Sequence, residues 1–136
     1  MGAKTLTFAL MDAPYESART ATALRLVDLA LRRGIHVNVF AYEGAAALTF
    51  ARQSQHPNAT HGRDVESEDH PLTHRWIEAL LAFAESRGVK LDWINCGMCV
   101  DERGVGETIP GVRRGGPPDF FKLALESFNT LVIATR

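Results

Sequence analysis

One junction constrains this chain more than any other. The stretch Ile35-His36-Val37-Asn38-Val39-Phe40, rich in β-branched residues, follows a helical segment after the single residue Gly34. Ahead of it, Lys4 to Leu10 is a short, mostly apolar run that reads as a strand. Between the two strands, Ser17 is placed to cap a helix running to Arg33. Ala23, Leu24, Val27 and Leu31, with Leu26 and Ala30, give that helix a broad apolar face. Strand, helix and strand in this order form a βαβ unit. Its strands must run parallel, because a helical crossover returns the chain to the same end of the sheet.

The pattern continues. Gly44 to Arg52 is a shorter, alanine-rich helical stretch. Leu72 to Arg87 is a helix closed by Gly88, with Trp76, Ile77, Leu80, Leu81 and Ala84 on one face. Val89 to Asn95 is a third strand. Arg103 to Gly116 is glycine-rich loop with a brief extended piece at Val112. Pro117-Pro118-Asp119 opens a helix to about Ser127, and Phe128 to Thr135 is the last strand. Alternating strands and helices predict a three-layer α/β fold, with a mostly parallel sheet of four to five strands flanked by helices. At 136 residues the chain fits one domain, 1–136. The segment from Gln53 to Pro71 departs from the pattern. It is polar, holds three histidines and has no periodicity, as in a lid, a binding loop or disorder.

Composition narrows the function. A formal net charge of -1 gives no overall pull toward nucleic acid or an anionic membrane. No apolar run approaches the ~20 residues of a membrane helix. The first residues lack a signal-peptide pattern, so a cytoplasmic location is expected. No Gly-x-Gly-x-x-Gly or Gly-Lys-Ser/Thr follows the first strand, so no nucleotide cofactor is expected.

The chain has two cysteines, Cys96 and Cys99, immediately after the third strand. In open α/β sheets, chemistry collects at the carboxyl ends of strands. A cysteine reacts as its thiolate, and an unperturbed thiol has a pKa near ~8.5. A helical turn beginning around Cys99 would aim free backbone N–H groups at its sulfur. Arg103, four residues on, would add positive charge, whereas Asp101 and Glu102 oppose it. Gly97 permits a tight turn, and the glycines after Arg103 give the segment mobility.

The residues alone leave several readings open. Both thiols can be inert and packed under a loop. A thioredoxin-type dithiol also uses Cys-x-x-Cys, but early in the chain and before a long helix. Zinc on Cys96, Cys99, His70 and His74 has acceptable ligand chemistry. Pro71, however, opens the helix and leaves His70 in the cap region.

The segments Ala13-Pro14-Tyr15-Glu16-Ser17-Ala18-Arg19, Ala23-Leu24-Arg25-Leu26, Val37-Asn38-Val39-Phe40 with Glu43-Gly44, and Cys96-Gly97-Met98-Cys99-Val100-Asp101-Glu102-Arg103-Gly104-Val105 occur in a telling order. In these the chain resembles the DsrE/DsrF-like sulfur-relay family over nearly its whole length. His70-Pro71 through Trp76-Ile77 resembles a subgroup with a long central insertion. The family places a reactive cysteine shortly before an Arg-Gly pair at a strand end. Cys99 occupies that place, and Cys96 matches an additional cysteine of some members. The resemblance implies a persulfide carrier with sulfur donor and acceptor proteins as partners, usually a homo-oligomer. On it, Cys99 accepts sulfur, Arg103 and backbone donors stabilise the anionic sulfur, and Cys96 resolves or supports. The competing class is a non-enzymatic oligomeric binding or regulatory module with structural or zinc-binding cysteines.

Other residues read more plainly. Three histidines fall in the polar loop and are expected to be solvated. The Asp12 to Tyr15 turn lies at the same end of the sheet and can line the same pocket. Arg113-Arg114 reads as a solvated charge pair. Phe120, Phe121 and Trp93 read as core.

Overall fold

The computed structural model describes residues 3–57, 62–66 and 72–135. Five strands form one parallel sheet: β1 (Thr5–Leu10), β2 (His36–Ala41), β3 (Leu91–Cys96), β4 (Val112–Gly115) and β5 (Asn129–Ile133). Four helices join them: α1 (Ala18–Arg32), α2 (Thr73–Arg87), α3 (Gly97–Glu102) and α4 (Pro117–Glu126). The alanine-rich stretch after β2 is a 3-10 helix over Glu43–Thr49 rather than an α-helix. The order across the sheet is β4-β3-β2-β1-β5.

Local chemistry explains the helix ends. The Ser17 side chain accepts from the Arg19 backbone N–H at 3.1 Å and caps α1. Gly34 follows α1 at φ +73°, and Gly88 ends α2 at φ +64°, both left-handed positions that favour glycine. The Asp119 carboxylate accepts from the Gly116 N–H at 2.8 Å and secures the start of α4.

Alternate strand residues build two cores. Phe8, Leu10, Val37, Val39, Ala41 and Trp93 pack with Ala23, Leu24, Val27 and Leu31 of α1 and Ile77, Leu80 and Ala84 of α2. Phe40, Ile94, Cys96 and Cys99 pack on the opposite face with Ala46, and with the half-buried Phe120 and Leu123 of α4. Coverage on both sides explains why β2 carries apolar residues on both of its faces, Val37 and Val39 on one and Phe40 on the other. Each large side chain buried in this way, Trp93 and Phe8 among them, contributes about 1.5–3 kcal/mol.

The second face is the thinner one. No residue of α4 is fully buried. Phe121 is 65% exposed, so the expectation that it belongs to the core is corrected. It sits on the outer side of α4, while Phe120 faces the sheet. Leu125 of α4, Phe128 just before β5 and Val132 of β5 are exposed as well. Among the described residues, no helix is long and apolar enough to cross a membrane.

The strand order reverses at β1: β2, β3 and β4 lie to one side of it and β5 to the other. A cleft of about 810 Å³ opens at the carboxyl end of this region, lined by Met11, Asp12, Glu16, Ser17, Glu43 and Arg103 among others. That is where open α/β sheets place their ligands.

Candidate functional site

β3 ends at Cys96, and α3 starts at the next residue. The helix therefore begins two residues earlier than a turn starting at Cys99. Cys96 is its N-cap, and Cys99 lies within its first turn. Both cysteines are free. Their Sγ atoms are 2.8 Å apart, Cys99 donating to Cys96, and both residues are at least 95% buried, at 3% and 4% exposure. Between them Met98 points outward, 72% exposed. A cleft of about 270 Å³ reaches the pair, lined by Tyr42, Glu43, Cys96, Met98, Cys99 and Glu102 along with the Gly115 to Pro117 turn.

Gly97 serves close approach rather than a turn. Its φ is not among the positive values in the chain. A Cβ there would meet Arg114 Nε at 2.5 Å. The Arg114 side chain crosses Gly97 and pairs with Asp101 through both terminal guanidinium nitrogens, Nη1 donating at 3.0 Å. This pairing holds the Asp101 carboxyl below its usual range. Arg113 is held in the same two-pronged way by Asp92 at 3.0 Å. The two arginines thus form ion pairs with β3 and α3 while their side chains stay about half exposed.

The sulfur of Cys99 receives its backbone donor from a different element. The Glu43 N–H points at Cys99 Sγ with a distance of 3.2 Å. Glu43 adopts φ +53°, a left-handed conformation that costs a residue with a Cβ roughly 1–2 kcal/mol. Its neighbours hold it there. Tyr42 N–H donates to Leu10 O at 2.8 Å, and Ala45 N–H donates to Met11 O at 3.2 Å. Gly44 lies so close to Ala13 that a Cβ would sit 2.9 Å from the Ala13 nitrogen.

Arg103 reaches the same place by another route. Its guanidinium is 2.6 Å from the Glu43 carboxylate. It was expected to supply charge directly to the sulfur, yet its hydrogen bond goes to Glu43. Burial pushes the Cys99 thiol up to about 11, the Cys96 hydrogen bond adds to the rise, and the Glu43 N–H works against it. Tyr42, beside Glu43, is also raised, chiefly by that carboxylate.

The sequence-predicted residues Cys96, Cys99 and Arg103 therefore come together around Glu43. Glu43 and Tyr42 were not singled out by their chemistry. The signal available was their place just past β2, at the same end of the sheet as the cysteines. The Asp12 turn lines the larger cleft, which shares Tyr42 and Glu43 with the thiol cleft. His74 is tied to Gln53 Oε1 at 3.0 Å. His56 meets the Tyr15 ring edge-on at 4.9 Å. His36 accepts from the Lys90 N–H at 2.9 Å. His61 and His70 lie outside the described residues. Among the described residues, no group of three or more His, Cys, Asp or Glu converges to hold a metal. α3, at six residues, is also far shorter than the helix of a thioredoxin dithiol.

A five-stranded parallel α/β domain with a buried dithiol at a strand's carboxyl end is the class these features define. Residues 4–133 match the DsrE/DsrF-like family, and the chain belongs to it. No curated protein matches the chain. Among solved structures, the ychN protein from E. coli superposes with a TM-score of 0.72 at 21% identity, covering 96% of this chain and 99% of that one. That similarity is one of fold. The family is linked to sulfur relay in general.

Proposed function

We propose that this protein carries sulfane sulfur as a persulfide on Cys99 and passes it to a partner thiol. The observation that carries this reading is the 2.8 Å approach of two free, buried thiols at the carboxyl end of β3. In loading, Cys99 attacks the outer sulfur of a donor persulfide. A new S–S bond forms at Cys99 and the donor's S–S bond breaks. The donor leaves as its thiol, taking the proton that Cys99 gave up. In delivery, an acceptor thiolate attacks that outer sulfur in turn. With no acceptor, Cys96 attacks Cys99 Sγ. A Cys96–Cys99 disulfide forms, hydrogen sulfide leaves, and a thiol reductant must restore the pair.

Burial suits a carrier, since a persulfide kept from bulk water is protected from stray thiols and oxidants. The donor and acceptor are proteins in this reading, and the compartment is the cytoplasm. The exposed Phe121, Leu125, Phe128 and Val132 support a homo-oligomer, because a monomer leaves this apolar surface in water.

The test is intact mass spectrometry after incubation with a persulfide donor, on wild type, Cys96→Ser and Cys99→Ser. One added sulfur on wild type and Cys96→Ser, and none on Cys99→Ser, is expected. No adduct on wild type would sink the reading. An adduct that survives Cys99→Ser moves the role to Cys96.

A further inference from the structure

We infer that Glu43 is a positioning residue for the sulfur site: its left-handed backbone aims an N–H at Cys99, and Arg103 acts on Cys99 only by holding the Glu43 side chain. The inference rests on Cys99 being the reacting thiol of the reading above.

Three observations meet here. The Glu43 N–H lies 3.2 Å from Cys99 Sγ, the distance of a donor to a sulfur that must bear negative charge when it attacks. The backbone that gives this aim is strained at φ +53°. Strain at a residue with a Cβ persists where its surroundings fix it, and such residues cluster at functional sites. The Gly44–Ala13 contact fixes it from one side, and the Arg103 pair at 2.6 Å fixes it from the other.

Electrostatics sets the sign of each contribution. A bare Glu43 carboxylate beside Cys99 opposes the thiolate, and its negative charge does raise the thiol. Arg103 holds that carboxylate at 2.6 Å. The charged and titratable groups around Cys99 are Cys96 at the end of β3, Tyr42 and Glu43 after β2, Glu102 at the end of α3 and Arg103 at its C-cap. Arg114 of β4 lies nearer Cys96. Glu43 connects the Cys99 sulfur to the Arg103 guanidinium by hydrogen bonds at both ends.

The experiment is the pH–rate profile of iodoacetamide alkylation in a Cys96→Ser background, so that Cys99 is the sole thiol. It reads thiol ionisation and does not depend on sulfur loading, so failure of the carrier reading leaves it interpretable. Four proteins complete a cycle: the background, Glu43→Gln, Arg103→Gln and the pair. Glu43→Gln is expected to speed alkylation at fixed pH by about two- to fivefold, the scale of a partly exposed charge. Arg103→Gln is expected to slow it by a similar factor. In the Glu43→Gln background, Arg103→Gln is expected to change almost nothing. Equal slowing in both backgrounds means that Arg103 acts on the sulfur itself and overturns the inference. Glu43→Val tests the backbone. It removes the same charge as Gln, but its β-branched side chain resists the left-handed conformation. Alkylation slower than in Glu43→Gln is expected, and equal rates overturn the backbone part. A melting curve on each variant shows that it is folded. If the valine variant does not fold, the charge cycle still decides.

Discussion

The sulfurs of Cys96 and Cys99 stand 2.8 Å apart across the junction of β3 and α3, less than an ångström beyond a disulfide bond of ~2.05 Å. Little movement is needed to close the bond. Mild oxidation with a thiol oxidant should therefore give an intramolecular disulfide. Mass spectrometry should show the loss of two hydrogens without dimer formation. The oxidised protein should take up no sulfur until it is reduced. Dimers linked through these thiols would contradict their burial.

Thiol reactivity should rise late with pH. The Cys99 thiol sits at about 11, so at pH 8 only about one molecule in a thousand carries the thiolate. Alkylation should climb about tenfold per pH unit well past the point where an ordinary thiol levels off. The stability consequence has a fixed sign. The folded thiol holds its proton more tightly than the unfolded one, which titrates at ~8.5. This contribution is complete below about pH 8.5 and is lost as pH rises toward 11. The melting temperature should fall across that window, and Cys99→Ala should flatten the fall.

Gly44→Ala should damage both stability and the site. The new Cβ would stand 2.9 Å from the Ala13 backbone nitrogen, and backbone cannot move aside as a side-chain tip can. Overpacking of this kind costs about 1–3 kcal/mol. The adjoining Glu43 N–H should lose its aim, so Cys99 alkylation should slow along with the drop in melting temperature. Unchanged stability would mean that the turn is looser than the contact implies.

Asn38→Val is expected to be neutral or stabilising by up to about 1 kcal/mol in thermal unfolding. Asn38 is 3% exposed in the middle of β2. Its amide donates to Thr7 Oγ1 at 3.2 Å, but its Oδ1 has no hydrogen-bond partner among the described residues. Valine removes that unmet acceptor and suits a strand. Thr7 keeps Ser127 as a partner. A large loss of stability would show that the Asn38 carbonyl is satisfied in solution.

Much of the fold was legible because it is encoded locally. Ser17 and Gly34 bracket α1 within one residue at each end, since capping and left-handed backbone are short-range chemistry. The alternation of Val37, Val39 and Ala41 with Asn38 and Phe40 exposes both faces of β2 to covering layers. The helix after β2 was legible as helical, but not as 3-10, because the hydrogen bonds of a tight turn depend on what it packs against. Phe121 was misplaced because α4 has apolar residues on two sides, and only docking decides which side meets the sheet.

The candidate site divides in the same way. Sequence alone placed Cys96 and Cys99 beside each other at a strand's carboxyl end, because three residues of spacing and one strand boundary determine that. It could not place Glu43, which lies 56 residues away from Cys99. The register of β2 on β3, with Ala41 opposite Asn95, brings the two strand ends level and lets the turn after one reach the thiol after the other. Register is a property of paired strands and of the layers that bury them, not of either segment alone. The tertiary structure therefore decided that Arg103, chosen from sequence for its charge, pairs with Glu43, and that a backbone N–H from the neighbouring strand end faces Cys99 Sγ.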